Sequence, residues 1–128
     1  MTHRVSLLII AFVWVPVGCK PPERDRCLVQ GTARMNGQSL GGFQISLYSE
    51  SVGGGGGEVN PDGTFRIFGP MQEGEYTVYF VISEDTKGAA REKLQAMGVP
   101  MKYRRAETSD YKVTLAPGPN HFDIDLKP

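Results

Sequence analysis

His121, Asp123 and Asp125 occupy every second position of one short run, so a strand would set an imidazole and two carboxylates side by side on one face. Such a trio suits a metal or hydrolytic centre. A solvated strand face explains the same residues more simply, because the other histidine, His3, lies in the apolar leader described below and would be lost with it. A second group, Lys102, Tyr103, Arg104 and Arg105 with Tyr111, joins aromatic rings to guanidinium forks and could grip a sugar or an anion. Against that stands the plainer reading in which Tyr103 packs onto the body of the domain and the basic side chains remain solvated. The five glycines Gly53 to Gly57 lack the following helix and the Lys or Ser/Thr at fixed spacing of a phosphate loop, and read as a flexible loop between strands. Asp62 is a single acid in a tight turn and falls far short of calcium's oxygen ligands. An enzyme would announce itself by a nucleophile beside a base, an acid pair or clustered metal ligands. No catalytic residue, metal or cofactor is expected.

The cysteines carry a different chemistry. Val5 to Val17 is an apolar run of thirteen residues behind Arg4, closing on Gly18-Cys19. It is short of the roughly 20 residues of a spanning helix and has the form of an export signal. Val17-Gly18-Cys19 resembles a lipoprotein box, cut before the cysteine and lipidated on its thiol, although Pro16 stands where such boxes usually carry Leu. The expected organisation is a signal peptide over residues 1–18, a tether over 19–26 stiffened by Pro21-Pro22, and a domain over 27–128. Lipidation of Cys19 leaves Cys27 as a small buried side chain; without it, the two thiols could form a disulfide.

One modest domain fits the remaining length. With Arg4 gone, thirteen Lys and Arg face fourteen Asp and Glu, a balance that argues against nucleic acid as a partner. The charge is segregated, six acids and one base over 58–85 against seven bases and three acids over 87–112, as neighbouring elements that complement one another would have it.

Short β-favouring runs separated by turn residues must position these groups. Cys27 to Met35 ends at Asn36-Gly37, a pair suited to a tight hairpin turn. In the next run Phe43, Ile45 and Leu47 alternate with polar residues, and Glu58 to Ile67 reads as a hairpin about Pro61-Asp62-Gly63. Glu75 to Ile82 is apolar on both faces, the mark of a central strand or of one covered by a loop or partner. The connection over 83–110 is long and part-helical, with a helix over Ala89 to Met97. A last hairpin joins Tyr111–Leu115 to His121–Leu126, with Phe122, Ile124 and Leu126 on the core face.

Taken in order, Val29-Gln30-Gly31-Thr32, Asn36-Gly37-Gln38-Ser39-Leu40, Asn60-Pro61-Asp62-Gly63-Thr64-Phe65, Gly69-Pro70, Gly74-Glu75-Tyr76-Thr77-Val78 and Pro117-Gly118-Pro119-Asn120 resemble a carboxypeptidase regulatory-like domain of the transthyretin-like type. Val99-Pro100-Met101-Lys102-Tyr103 and Phe122-Asp123-Ile124-Asp125-Leu126 are similar to segments of small lipoproteins of planctomycete-type bacteria. The resemblance implies an all-β, seven-stranded antiparallel sandwich with immunoglobulin-like layering, and no catalytic residues. The expected function is a non-catalytic structural, adhesion or binding module of the cell envelope, lipid-anchored through Cys19 to a bacterial membrane on its non-cytoplasmic side. Its partner would be an envelope polymer or protein. The alternatives are a carrier of a small ligand or carbohydrate, soluble or anchored, using Lys102, Tyr103, Arg104, Arg105 and Tyr111, and, less well supported, a hydrolytic enzyme.

Overall fold

A computed structural model describes residues 27–128, the side chains of 68–70 excepted. The expected signal peptide, tether and lipidation at Cys19 lie outside the described residues. Eight strands form two packed sheets: β1 (Cys27–Met35), β2 (Gln38–Ser39), β3 (Phe43–Ser49), β4 (Gly53–Glu58), β5 (Thr64–Met71), β6 (Gly74–Ile82), β7 (Lys112–Leu115) and β8 (Gly118–Leu126). The all-β sandwich read from the sequence is present, with the two-residue β2 as an eighth strand.

In the first sheet β1 is central, flanked on one side by β5 and the short β2 and on the other by β8. The second sheet has the order β4-β3-β6-β7 and is antiparallel throughout. Alternation along β3 sends Phe43, Ile45 and Leu47 inward, while β6 contributes Tyr76, Val78 and Phe80. They meet Val29, Ala33, Ile124 and Leu126 from the opposite sheet in one apolar core. Tyr76 is buried without loss of its polar end, because its hydroxyl donates to the Gln72 carbonyl at 2.8 Å. The hairpin at Asn36-Gly37 forms as expected, with φ of 50° and 79° at the two central residues and Met35 opposite Gln38.

Three sequence expectations are corrected. The glycine run is a strand: Gly53–Glu58 pairs with β3 over six positions, from Ser49↔Gly53 to Gln44↔Glu58. Glycine is a poor strand former, but β4 lies where the two sheets converge. A Cβ on Gly57 would sit 2.4 Å from the Arg66 carbonyl oxygen of β5. Missing side chains allow this close backbone approach, and tertiary packing overrides propensity.

The second correction concerns the hairpin about Pro61-Asp62-Gly63. The reversal is there, with Gly63 at φ 91° and the Asp62 carboxylate accepting from the Thr64 N–H at 2.9 Å and the Thr64 hydroxyl at 2.6 Å. Its arms nevertheless enter different sheets and touch as strands only at the bridge Val59↔Phe65.

The third correction is the last hairpin, which does not form. β7 pairs with β6, whereas β8 crosses to the other sheet and runs parallel to β1 over nine positions, Cys27↔Gly118 to Met35↔Leu126. The sandwich is therefore not wholly antiparallel. The corner between β7 and β8 is held by Asn120, a buried side chain that the sequence presents as a turn residue. Its Oδ1 accepts from the Ala116 N–H at 3.0 Å, and its Nδ2 donates to the carbonyls of Ala116 at 2.8 Å, Gly118 at 3.0 Å and Leu28 at 3.3 Å. Pro117 and Pro119 have no N–H to offer a hairpin ladder.

The long connection covers the end and flank of the second sheet. Helix α1 (Gly88–Ala96) agrees with the sequence reading to within one residue and buries Leu94. A 3₁₀ turn (Met101–Arg104) follows, burying Tyr103 and packing against β6. β7 pairs with β6 only as far as Thr77↔Lys112. Beyond it the Val78 N–H donates to the Tyr111 carbonyl at 2.8 Å and the Ser109 hydroxyl donates to the Val78 carbonyl at 2.5 Å. A buried side chain thus takes over where the backbone ladder stops.

Candidate functional site

The outer face of the β4-β3-β6-β7 sheet carries a concave site. Alternation that turns Leu47 inward turns its neighbour Tyr48 outward, and on β6 Val78 and Phe80 do the same for Tyr79. Tyr48 lies opposite Thr77 and Ser46 opposite Tyr79, so the tyrosines are diagonal neighbours across the β3–β6 pair, close enough for adjoining rings. β4 offers no side chain taller than hydrogen beside them: Gly54 is the partner of Tyr48 and Gly56 of Ser46. On the far side the Ala106–Glu107 segment forms a rim.

The result is a cleft of about 610 Å³ lined by Tyr48 and Tyr79, by Ser49 and Thr77, and by the charged side chains of Glu50, Glu75, Glu107 and Lys112. Tyr48 is 42% exposed, a large aromatic surface left in water, while Tyr79 is half-buried. The Lys112 ammonium donates to the Thr77 hydroxyl at 3.2 Å, which fixes one polar edge. Three carboxylates against one ammonium make the lining acidic. Chemically the face offers ring surface for apolar C–H faces and carboxylate acceptors for hydroxyl or ammonium donors.

The basic-aromatic group read from the sequence is arranged differently. Tyr103 is buried in the core cluster, so its ring is not open for stacking by a ligand. Lys102 lies over that ring, 4.7 Å from its centroid, and forms an ion pair with Asp110 at 3.2 Å. Tyr103, and after it Asp110, hold the Lys102 ammonium above its ordinary pKa. Tyr111 is half-buried, with burial pushing its phenol upward; Arg104 is half-buried and Arg105 exposed.

His121, Asp123 and Asp125 do share the exposed face of β8. His121 Nε2 lies 2.9 Å from Asp123 Oδ1, which also accepts from the Thr32 hydroxyl at 2.9 Å, and Lys127 is 3.8 Å from Asp125. Thr32 first and His121 second hold the Asp123 carboxyl below the usual range. Among the described residues no group of three or more His, Cys, Asp or Glu side chains is placed to hold a metal ion. Cys27 is buried at the start of β1, its thiol pushed up by burial and further by the charge of Glu73.

The sequence reading missed the tyrosine face. The signal was available in the inward Phe43-Ile45-Leu47 alternation, which fixes Tyr48 as outward; Tyr79 needed the β3–β6 register, which a sequence does not print. Compared with protein-family models and with curated proteins, the chain finds no match in either.

Proposed function

We propose that this chain is a non-catalytic β-sandwich module, lipid-anchored through Cys19 at the bacterial cell envelope, that binds carbohydrate of an envelope polymer on the outer face of its β4-β3-β6-β7 sheet. The observation that carries the reading is the pair of outward tyrosines, Tyr48 and Tyr79, set beside a strand of glycines and ringed by carboxylates. A pyranose presents one apolar C–H face and a rim of hydroxyls, and this cleft has a ring surface for the first and acceptors for the second. Its acidic lining disfavours polyanions and favours neutral or amino sugars. The apolar leader ending at Gly18-Cys19 supports export and anchoring. The order of turn motifs supports a carboxypeptidase regulatory-like, transthyretin-like domain.

Two measurements test the reading. Cosedimentation of the purified chain with insoluble envelope polysaccharide from its host is expected to show saturable binding, reduced at least about tenfold by Tyr48→Ala with Tyr79→Ala, since each lost ring is worth about 1 kcal/mol. Binding unaffected by the double variant, with unchanged melting, would refute the site. Intact mass of membrane-derived protein is expected to begin at Cys19 with a diacylglyceryl adduct that Cys19→Ala abolishes. An unmodified mass removes the anchor and leaves the carbohydrate face to be judged alone.

A further inference from the structure

A second cleft lies at the other side of the long connection, between α1 and the end of the sandwich. Its volume is about 650 Å³, within the ~300–1,000 Å³ of small-molecule sites. Ala90 and Leu94 of α1 and Met97 at its C-cap line it together with Pro61, with Gly41 and Gly42 and the polar groups of Gln38, Ser39 and Thr86. Larger residues are disfavoured here: a Cβ on Gly41 would lie 2.7 Å from the Asn60 carbonyl oxygen, and Gly42 has a φ of 98° with Leu94 close above it.

Two opposite charges line this apolar space. Glu58, at the end of β4, and Lys93, on α1, both reach the cleft, yet neither forms an ion pair with the other or with any charged group among the described residues. The first turn of α1 borders the cleft through Ala90, with Thr86 in the segment just before the helix; that turn has no side-chain cap and no acidic residue. Its free N–H groups and partial positive charge add to Lys93 as a place for a carboxylate. An ammonium group has its complement at Glu58.

We propose that this cleft binds a short apolar peptide with both termini free, its carboxylate toward Lys93 and the α1 first turn, its ammonium toward Glu58, and its side chains against Leu94, Met97 and Pro61. A neutral apolar ligand would use neither charge, and a singly charged one only one, so the ligand with an ammonium at one end and a carboxylate at the other is the one complementary to both. The site uses none of the tyrosine-face residues, so it stands or falls independently of carbohydrate binding.

The test is a titration of the isotopically labelled full chain in detergent micelles, read from backbone amide shifts, with alanyl-leucine as the probe. Two blocked analogues complete the set: N-acetyl-alanyl-leucine, which lacks the ammonium, and alanyl-leucinamide, which lacks the carboxylate. Alanyl-leucine is expected to shift the amides of Gly41, Gly42, Ala90 and Lys93 saturably, and each blocked analogue to bind at least about fivefold more weakly. Glu58→Gln should weaken alanyl-leucine and alanyl-leucinamide but spare the acetylated peptide; Lys93→Met should weaken alanyl-leucine and the acetylated peptide but spare alanyl-leucinamide. Both side chains are exposed, and a dispersed spectrum verifies the fold of each variant. Tyr48→Ala with Tyr79→Ala should leave peptide binding unchanged. Equal binding of all three probes, indifference to both substitutions, or no shift at these amides would overturn the proposal.

Discussion

Replacing Gly31 by Ala should separate β8 from β1, and the cost can be worked from the structure. Gly31 is flanked by both neighbours in its sheet, opposite Phe65 of β5 and Phe122 of β8. An added Cβ would lie 1.8 Å from the Phe122 carbonyl oxygen, 2.7 Å from its carbonyl carbon and 2.9 Å from its nitrogen. A tolerable carbon to oxygen contact is about 3.3 Å, so the β8 backbone must withdraw by about 1.5 Å. A ladder bond of about 2.9 Å stretched by that much is lost. A stiff strand spreads the displacement over about two residues on each side, forfeiting about four bonds at about 1 kcal/mol each. The expected loss is therefore about 4 kcal/mol, a large share of the 5–15 kcal/mol of a typical domain. At about 4–8 °C per kcal/mol the melting temperature falls by about 16–32 °C. Urea unfolding followed by circular dichroism suits the assay, because the only tryptophan, Trp14, lies outside the sandwich. Gly37→Asn is the control: its Cβ meets nothing within 4 Å, Asn tolerates the φ of 79°, and the cost should stay below about 1 kcal/mol. A Gly31→Ala variant within about 1 kcal/mol of the parent would refute the parallel β1–β8 register.

Acid sensitivity should follow Asp62 and Asp123. The Thr64 hydroxyl and N–H hold the Asp62 carboxyl below the usual carboxylate range, and Thr32 then His121 do the same for Asp123. A carboxyl with a lowered folded pKa stabilises the fold above its unfolded value and loses that contribution as pH falls through the folded one. Urea midpoints measured from about pH 6 down to about pH 3 should decline less in Asp62→Asn with Asp123→Asn than in the parent; parallel declines would contradict the assignment. Ser109→Ala should cost about 1–3 kcal/mol, because it leaves the Val78 carbonyl and the Tyr111 N–H without the buried hydroxyl they share at 2.5 Å and 3.3 Å. The readouts are the urea midpoint and faster amide exchange along Val78 and Tyr111, and a neutral effect would mean that water replaces the hydroxyl.

What a sequence discloses here depends on the range of the interaction that decides each element. The Asn36-Gly37 hairpin, the β3 alternation and the helix ending before Gly98-Val99-Pro100 are set by residues within a few positions of one another, and all three were legible. The glycine strand was not, because what makes Gly57 suitable is the Arg66 backbone, which only the folded chain brings near. The same holds for β8. Phe122, Ile124 and Leu126 identify a strand with one inward face, but nothing local says whether that strand returns to β7 or crosses to β1. Asn120 decides it by binding Ala116 on the β7 side and Leu28 on β1 at once.

The candidate sites divide along the same line. Tyr103 was legible as an aromatic among cations, and burial withdrew it; Tyr48 and Tyr79 are 31 positions apart and become neighbours only through the β3–β6 register. The outward face of this sheet can be acidic and aromatic because the inward face already supplies the core, and β4 can be bare of side chains because its backbone alone closes the corner. Both conditions come from packing between the sheets, and together they leave ring surface and carboxylates exposed beside a strip of main chain. A ligand with one apolar face and a polar rim fits that surface better than a uniformly charged one, which is the physical ground for looking among carbohydrates first.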